Sequence, residues 1–537
     1  MCVNCDMRVP NDAIQTDVLI LGSGGAGLCS AIAAAESGAS VLVISKAGGN
    51  STVMAAGGFA VAMDEAGDSV ECFVADALRS GAELADVCLV TRLAEEAPRA
   101  IETLADWGVK FYCREDGSYR LFRSGGHTHP RSLRCASGHG ADAYRVMLQR
   151  AKGLGVRFIS NALIAELLRK DGRVVGAAGM DSGGAPLFIL AKAVVLATGG
   201  LAALYEHTTN TPGLTGEGYI LAREAGCRLR DMEFVQFMPT TIAYPPRLKG
   251  RLVNDTLRGE GAILLNGHLE RFMERYDAQS MENSTRAVIS AAIATELAEG
   301  RGSLHGGVYL DARHISPEAL SQSFSYAGQM AAAGADPSKN LIEVVPAAHF
   351  SCGGVIIDEN CRTDVAGLYA VGEVTGGIHG ANRLGATALT ENAVFGSIAG
   401  RCAAQDATLA GAYPSWIECL MEPALKRAEQ PQNPALNAAL AEGKNKLGSI
   451  LWRCGGILRN AEGLSAGLEA LAMLEEELLA QPGGDFDQAI KVMHMLQLIT
   501  LGRLILRASL ERTESRGCHR RTDFLKEDPS WNRSIIL

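Results

Sequence analysis

The chain of 537 residues lacks any apolar run approaching the ~20 residues that span a bilayer, because polar residues interrupt every such stretch. Its first residues, "MCVNCDMRVPNDAIQT", contain no apolar core of a secretory signal. It has no long basic run, and its net charge is −10, which disfavours nucleic acid as a partner. Gly/Ser and Pro repeats are missing too, so the 61 glycines point to tight turns and close backbone approaches rather than to a linker. There are 14 cysteines but a single CxxC pair, Cys2 and Cys5. One pair supplies too few ligands for a zinc or iron–sulfur site, so no metal is expected and the thiols read as mostly reduced core residues.

What is present is a large capacity for burial. Apolar residues make up 47% and charged residues 20%, and the length suggests two to four domains. "TDVLILGSGGAGLCSAIAAAESGASVLVISK" reads as strand, glycine loop, helix and strand. Gly22, Gly24 and Gly27 form G-x-G-x-x-G, with Gly25 and Ala26 inside it. In this context the motif lets backbone approach a pyrophosphate and aims a helix N-terminus at it. The second strand ends in Ser45–Lys46 rather than in an acidic residue, so a ribose partner must come from elsewhere.

Two later stretches look like pieces of the same domain. "AKAVVLATGG" is a buried strand ending in Thr198 and Gly199, and "VAGLYAVGEVTGG" is another, followed by Glu373. A glutamate at the mouth of a buried strand is costly unless paired, and a ribose hydroxyl would pair it. A nucleotide domain split in this way suggests FAD, whose extended shape spans several strand ends. The fold expected is α/β, with a Rossmann-like split FAD-binding domain (1–230 and 346–405), an insertion at 231–345, and a C-terminal helical domain and tail at 406–537. The helical patterns after 406 have core-facing i, i+3/i+4 spacing and read as packing helices. One further stretch, "GANRLGATAL", places Arg383 among small residues. It is either a surface arginine or a carboxylate clamp beside a cofactor.

Taken together, "GSGGAG", "STVMAAGGFA", "ATGG", "TGEG", "EFVQFMPT", "LRGEGAILLN", "STRAVI", "PAAHFSCGGV", "GLYAVGEV", "HGANRLG" and "RTESRGCHRRTDF" resemble the flavoproteins of succinate dehydrogenase, fumarate reductase and L-aspartate oxidase, in the family's order and over nearly the whole chain. The resemblance implies that the insertion is a mobile α+β capping domain. It places FAD against Gly22, Gly24, Gly25, Ala26 and Gly27, the strand end at Ser45 and Lys46, and the segment Ser51, Thr52, Ala56, Gly57 and Gly58. Further FAD contacts implied are Thr198, Gly199, Glu217, Glu373, Asn382, Arg383, Ala388 and Leu389. Ser51 stands where membrane-bound members carry a flavin-linked histidine, so non-covalent FAD is expected.

The resemblance also assigns the chemistry. A hydride moves between flavin N5 and a carbon next to a carboxylate. Arg383 matches the carboxylate-binding arginine, and a guanidinium fork grips a carboxylate bidentately. His349 matches a second carboxylate ligand. Arg286 matches the proton-transferring arginine, Asp255 a relay glutamate, and Arg258 another basic site residue. Several positions depart from the family pattern, among them Asp255, which replaces the longer glutamate, and "ANRLGATAL", which replaces "ANRLGGNSL". Met238 replaces a histidine for the distal carboxylate, Asn254 replaces a threonine, and Ser124 replaces the acidic residue with which aspartate oxidase holds the substrate amino group. Met cannot donate a hydrogen bond, so the second carboxylate pocket is remodelled.

Fumarate/succinate, or a related enoate, is the substrate expected. Aspartate oxidation to iminoaspartate and hydrogen peroxide is an alternative, as is an electron-transfer flavoprotein with an altered site. The expected partners are a small carboxylate and an iron–sulfur or other electron-transfer subunit. The expected location is the cytoplasm, with membrane attachment only through such a partner.

Overall fold

The computed structural model describes residues 5–63, 67–253, 255–324, 326–427, 430–481 and 483–537. Asn254 and Cys2 lie outside the described residues.

The strand Ile14–Leu21 is the centre of the main sheet. Its last residues are fully apolar and buried, as a strand covered on both faces requires. Val41–Ser45 and Pro186–Leu196 flank it in parallel, Arg157–Ser160 lies beyond the first, and Leu368–Ala370 lies beyond the second. Pro186–Leu196 serves two kinds of pairing along one edge. Its end, Val194–Leu196, pairs in parallel with Leu368–Ala370, while its start pairs antiparallel with Arg173–Met180. The antiparallel part continues through Leu163–Lys170 and Trp416–Cys419 to Cys5–Arg8.

The helix Gly25–Glu36, rich in small residues, packs closely on helix Thr387–Leu409. A Cβ on Gly400 would meet the Ser30 carbonyl at 2.2 Å, so the small residues permit the contact. This packing brings the segment after Arg383 against the glycine loop.

A second apolar core lies wholly between residues 242 and 344. Two long antiparallel strands, Val235–Tyr244 and Ile342–Ser351, link it to the first. Phe237 and Ala348 belong to the main core, whereas Ile242 and Val344 belong to the second. Val308–Asp311, Ile263–Leu265 and helix Arg286–Ala298 complete this lobe.

Helices Pro434–Cys454, Ala461–Leu479 and Phe486–Glu511 pack on one another. Gly502 allows Leu447 and Leu471 to close over the last helix. Phe486–Glu511 is long and apolar enough to cross a membrane, contrary to the expectation that the chain has no such run. Here it is a core helix. Its buried Gln488 and Gln497 donate to the Asn433 and Ala165 carbonyls at 2.7 and 2.9 Å.

Candidate active site

At the end of Ile14–Leu21 the chain turns at Gly22, with φ +118° and the position of a Cβ only 2.1 Å from the Ala197 carbonyl oxygen. No other residue fits there. Gly27 is equally tight, since a Cβ would lie 2.0 Å from the Gly22 oxygen. The helix that follows starts with no side-chain cap and no acidic residue in its first turn. The Thr52 hydroxyl accepts from the Gly25 amide at 2.9 Å and ties the glycine loop to the short helix Ser51–Met54.

These elements open onto a cleft. It is lined by Gly22, Gly24, Gly25, Ala26, Ser45, Lys46, Ser51, Thr52, Thr198, Gly199, Glu217 and Glu373. Asn50, Asn392 and the apolar stretch Ala162–Ile164 line it too, and no sequence motif pointed to them. The two acidic residues differ. Glu217 is already engaged by Lys46, by Thr215 and by His494 at 2.7 Å. Burial would raise its carboxyl, but His494 and Lys46 outweigh burial and hold it far below its usual range. Glu373 accepts only from the Ser351 amide among the described side-chain contacts, at 3.0 Å. Burial pushes its carboxyl up to about 7, against the pull of that amide and of Arg383. The Thr198 hydroxyl is buried without a partner.

Beyond the cleft, Gly57 accepts from the Ser132 hydroxyl, and Ala56 is half-buried. Gly58 has φ +78°, with a Cβ position 2.4 Å from the Leu133 carbonyl oxygen. Leu389 is buried and Ala388 half-buried, both in helix Thr387–Leu409.

A cluster of guanidinium groups gathers between the two cores. Arg383 stacks on Phe350, with its guanidinium carbon 4.0 Å from the ring centre. Its Nη2 donates to Gln236 Oε1 at 3.4 Å, and its buried Nε has no partner. Burial, with Arg286 nearby, lowers this group to about 10. Gln236 was not nominated from the sequence, yet it organises the cluster. Its Nε2 donates to Asn382 Oδ1 at 2.8 Å and to the Arg383 carbonyl at 3.0 Å. That fixes the amide so that Oε1 faces both Arg383 and Arg286, the latter at 3.3 Å.

Arg286 is the first residue of its helix, capped by the Thr285 side chain. A cation is unfavourable at that end of a helix, and Asp255 offsets it at 2.7 Å. Arg258 is buried, and its donors go to Asp255 at 2.6 Å, Thr240 at 2.7 Å and the Glu282 carbonyl at 3.2 Å. It therefore holds Asp255 rather than facing open space. Burial would raise the Asp255 carboxyl, but Arg286 and Arg258 keep it well below its usual range. His349 Nδ1 lies 2.7 Å from the Thr209 hydroxyl. Burial, then Arg286 and Arg383, hold its pKa well below the usual imidazole value. Ser124 sits against Gly385, beside the Arg383 loop. Met238 is completely buried in its strand.

Comparison with known proteins decides what this arrangement belongs to. Residues 17–389 match the FAD binding domain model, and residues 444–536 match the fumarate reductase flavoprotein C-terminal model. The chain belongs to the FAD-dependent family of fumarate reductase and succinate dehydrogenase flavoproteins and L-aspartate oxidases. It is 35% identical over 538 residues to a chain of the CoM/CoB fumarate reductase of Methanothermobacter marburgensis, covering 98% of each chain. It is also 35% identical over 550 residues to L-aspartate oxidase of Streptomyces coelicolor, covering 98% of this chain and 92% of that one. Among solved structures, the flavoprotein of E. coli quinol fumarate reductase superposes with a TM-score of 0.87 at 30% identity, covering 98% of this chain and 94% of that one.

The cleft of this flavoprotein suits FAD on its own terms. It offers close backbone approach at the glycine loop, an uncapped helix N-terminus for phosphate, an apolar end, an orphaned hydroxyl at Thr198 and a carboxylate at Glu373 with acceptor capacity to spare. Among the described residues one group has metal-ligand spacing, Asp68 with Cys72 and His129, but Arg131 already occupies the Asp68 carboxylate at 2.5 Å.

Proposed function

We propose that the protein reduces or oxidises the C–C bond next to a carboxylate, with fumarate/succinate or a related enoate and its saturated acid as the pair. The observation that carries this reading is the Arg383–Gln236–Arg286–Asp255 array, in which two guanidinium groups converge on one neutral oxygen and one of them is backed by a carboxylate. Bound FAD supplies or takes up the hydride. Its hold is non-covalent, because Ser51 carries only a hydroxyl, which donates to Asn210.

Arg383 holds the substrate carboxylate. Its Nε is unpartnered, and its Nη2 contact at 3.4 Å is long, so its fork is free to grip bidentately. His349 is neutral at ordinary pH. The Thr209 hydroxyl meets Nδ1 at 2.7 Å, and in the tautomer in which it donates there the Nε2 proton is available to a carboxylate oxygen. Together these donors draw charge toward the carboxylate and leave the neighbouring carbon electron-poor. Arg286 moves the proton at the other carbon. A guanidinium releases its proton only if a carboxylate can restore it, and Asp255 is in contact to do so.

Aspartate oxidation is the second reading, favoured by the likeness to L-aspartate oxidase. It is the weaker one, because Ser124 beside Gly385 offers an ammonium group no charge. A partner protein supplies or removes the electrons, with an iron–sulfur protein the first candidate. The experiment that tests the main reading is anaerobic reoxidation of the reduced flavin by fumarate, with aspartate as the comparison substrate.

A further inference from the structure

Arg134 follows the short strand Ser132–Leu133, which pairs with Phe59–Ala60 at the end of the glycine segment. Its stem runs beside Gly58, where a Cβ would lie 3.1 Å from Arg134 Cγ. Its guanidinium stacks on Phe122, 4.4 Å from the ring centre, and Nη2 donates to the Thr256 hydroxyl at 3.3 Å. Thr256 follows Asp255, so Arg134 reaches the residue next to the one that Arg286 binds.

Two arginines among the described residues combine a buried Nε that lacks a partner with the absence of any carboxylate ion pair. They are Arg383 and Arg134. Of the deeply buried arginines, Arg131, Arg258, Arg512 and Arg521 meet a carboxylate, whereas Arg459 donates to the Gly456 and Glu233 carbonyls and to Ser509. A desolvated guanidinium kept without an anion is costly, and burial with Arg120 nearby does lower the Arg134 pKa. An anionic ligand would remove that cost. Met238 stands where the family pattern has a histidine for the distal carboxylate, and its buried thioether donates nothing.

We propose that Arg134 binds the second anionic group of the substrate, so that the site selects enoates with an anion at each end, Arg383 gripping one and Arg134 the other. For the reaction this rests on the function proposed above, but the binding claim does not.

The test uses the FAD-loaded protein and reads the flavin absorbance change on adding succinate, a dianion, or propionate, a monoanion. In the Arg134→Gln variant, succinate binding is expected to weaken by at least about tenfold while propionate binding and flavin content stay unchanged. Arg134→Lys should recover part of the loss, and it carries the same comparison should Arg134→Gln lose its flavin. Equal weakening of both ligands would make Arg134 a contact that merely closes the lobes and would overturn the proposal, as would no effect on succinate. Fumarate turnover, measured on the same wild-type sample, separates the two claims. Arg134-dependent succinate binding without turnover leaves the subsite standing and removes the proposed reaction. Turnover with no dependence of binding on Arg134 does the reverse.

Discussion

Asp255 Oδ2 receives Arg286 twice, through Nε at 2.9 Å and Nη2 at 2.7 Å, while its other oxygen takes Arg258 at 2.6 Å. One carboxylate thus spans the proposed proton donor and a buried structural cation. Replacing Asp255 by Asn keeps the shape but removes the carboxylate that would take up a proton from solvent and pass it to Arg286. Turnover with fumarate should fall by about 10²–10⁴-fold, with KM little changed. Steady-state kinetics check this, and turnover at the wild-type rate would remove Asp255 from the relay.

The Arg383→Lys variant keeps the charge but loses both the fork and the stacking plane on Phe350. Substrate binding should weaken by the ~2–5 kcal/mol expected for a broken desolvated charge pair. Ligand titration followed by flavin absorbance, on samples matched for FAD content, checks this, and a lysine variant that binds substrate as tightly as wild type would show that no bidentate clamp exists.

His349 bears on pH dependence. Its pKa is lowered well below the usual imidazole value by burial and by two guanidinium groups, so it stays neutral where an ordinary histidine takes up its proton. KM for fumarate should therefore show no break near the usual imidazole value of 6.5. A break there that disappears in His349→Gln would contradict the assignment of a neutral donor.

Glu373 gives a stability signature in the FAD-free protein. Its folded pKa of about 7 lies above the ordinary 4.5, so the folded state holds the proton more tightly. The contribution is fully present below pH 4.5 and is lost as pH rises through about 7. Thermal melts should show Glu373→Gln more stable than wild type at alkaline pH, by on the order of 1–3 kcal/mol, with the difference vanishing in acid. The opposite trend would mean that the carboxylate is paired in the free protein.

Residues whose backbone does the work were legible in the sequence. Gly22 and Gly27 are required by Cβ positions 2.1 and 2.0 Å from carbonyl oxygens, and a G-x-G-x-x-G between strand and helix announces that. Arg383, His349 and Arg286 were legible only through their motifs, since each alone is an ordinary residue. Gln236 lay inside a recognised motif and was missed, because its role comes from an amide orientation set by Asn382 and Arg383, well over a hundred residues away. His494 was missed for a related reason. It sits in a helix whose pattern speaks only of packing, yet it reaches the Glu217 carboxylate, which the family resemblance gave to FAD. Arg134 carried no sequence signal, since the lack of an anionic partner is visible only in three dimensions.

The most direct test of the proposed chemistry is anaerobic. The FAD-loaded protein is reduced with light, fumarate is added, and the flavin absorbance is followed. Rapid return of the oxidised spectrum is expected in wild type, and its loss in Arg286→Ala. No return in wild type, or an unimpaired return in Arg286→Ala, would contradict that chemistry.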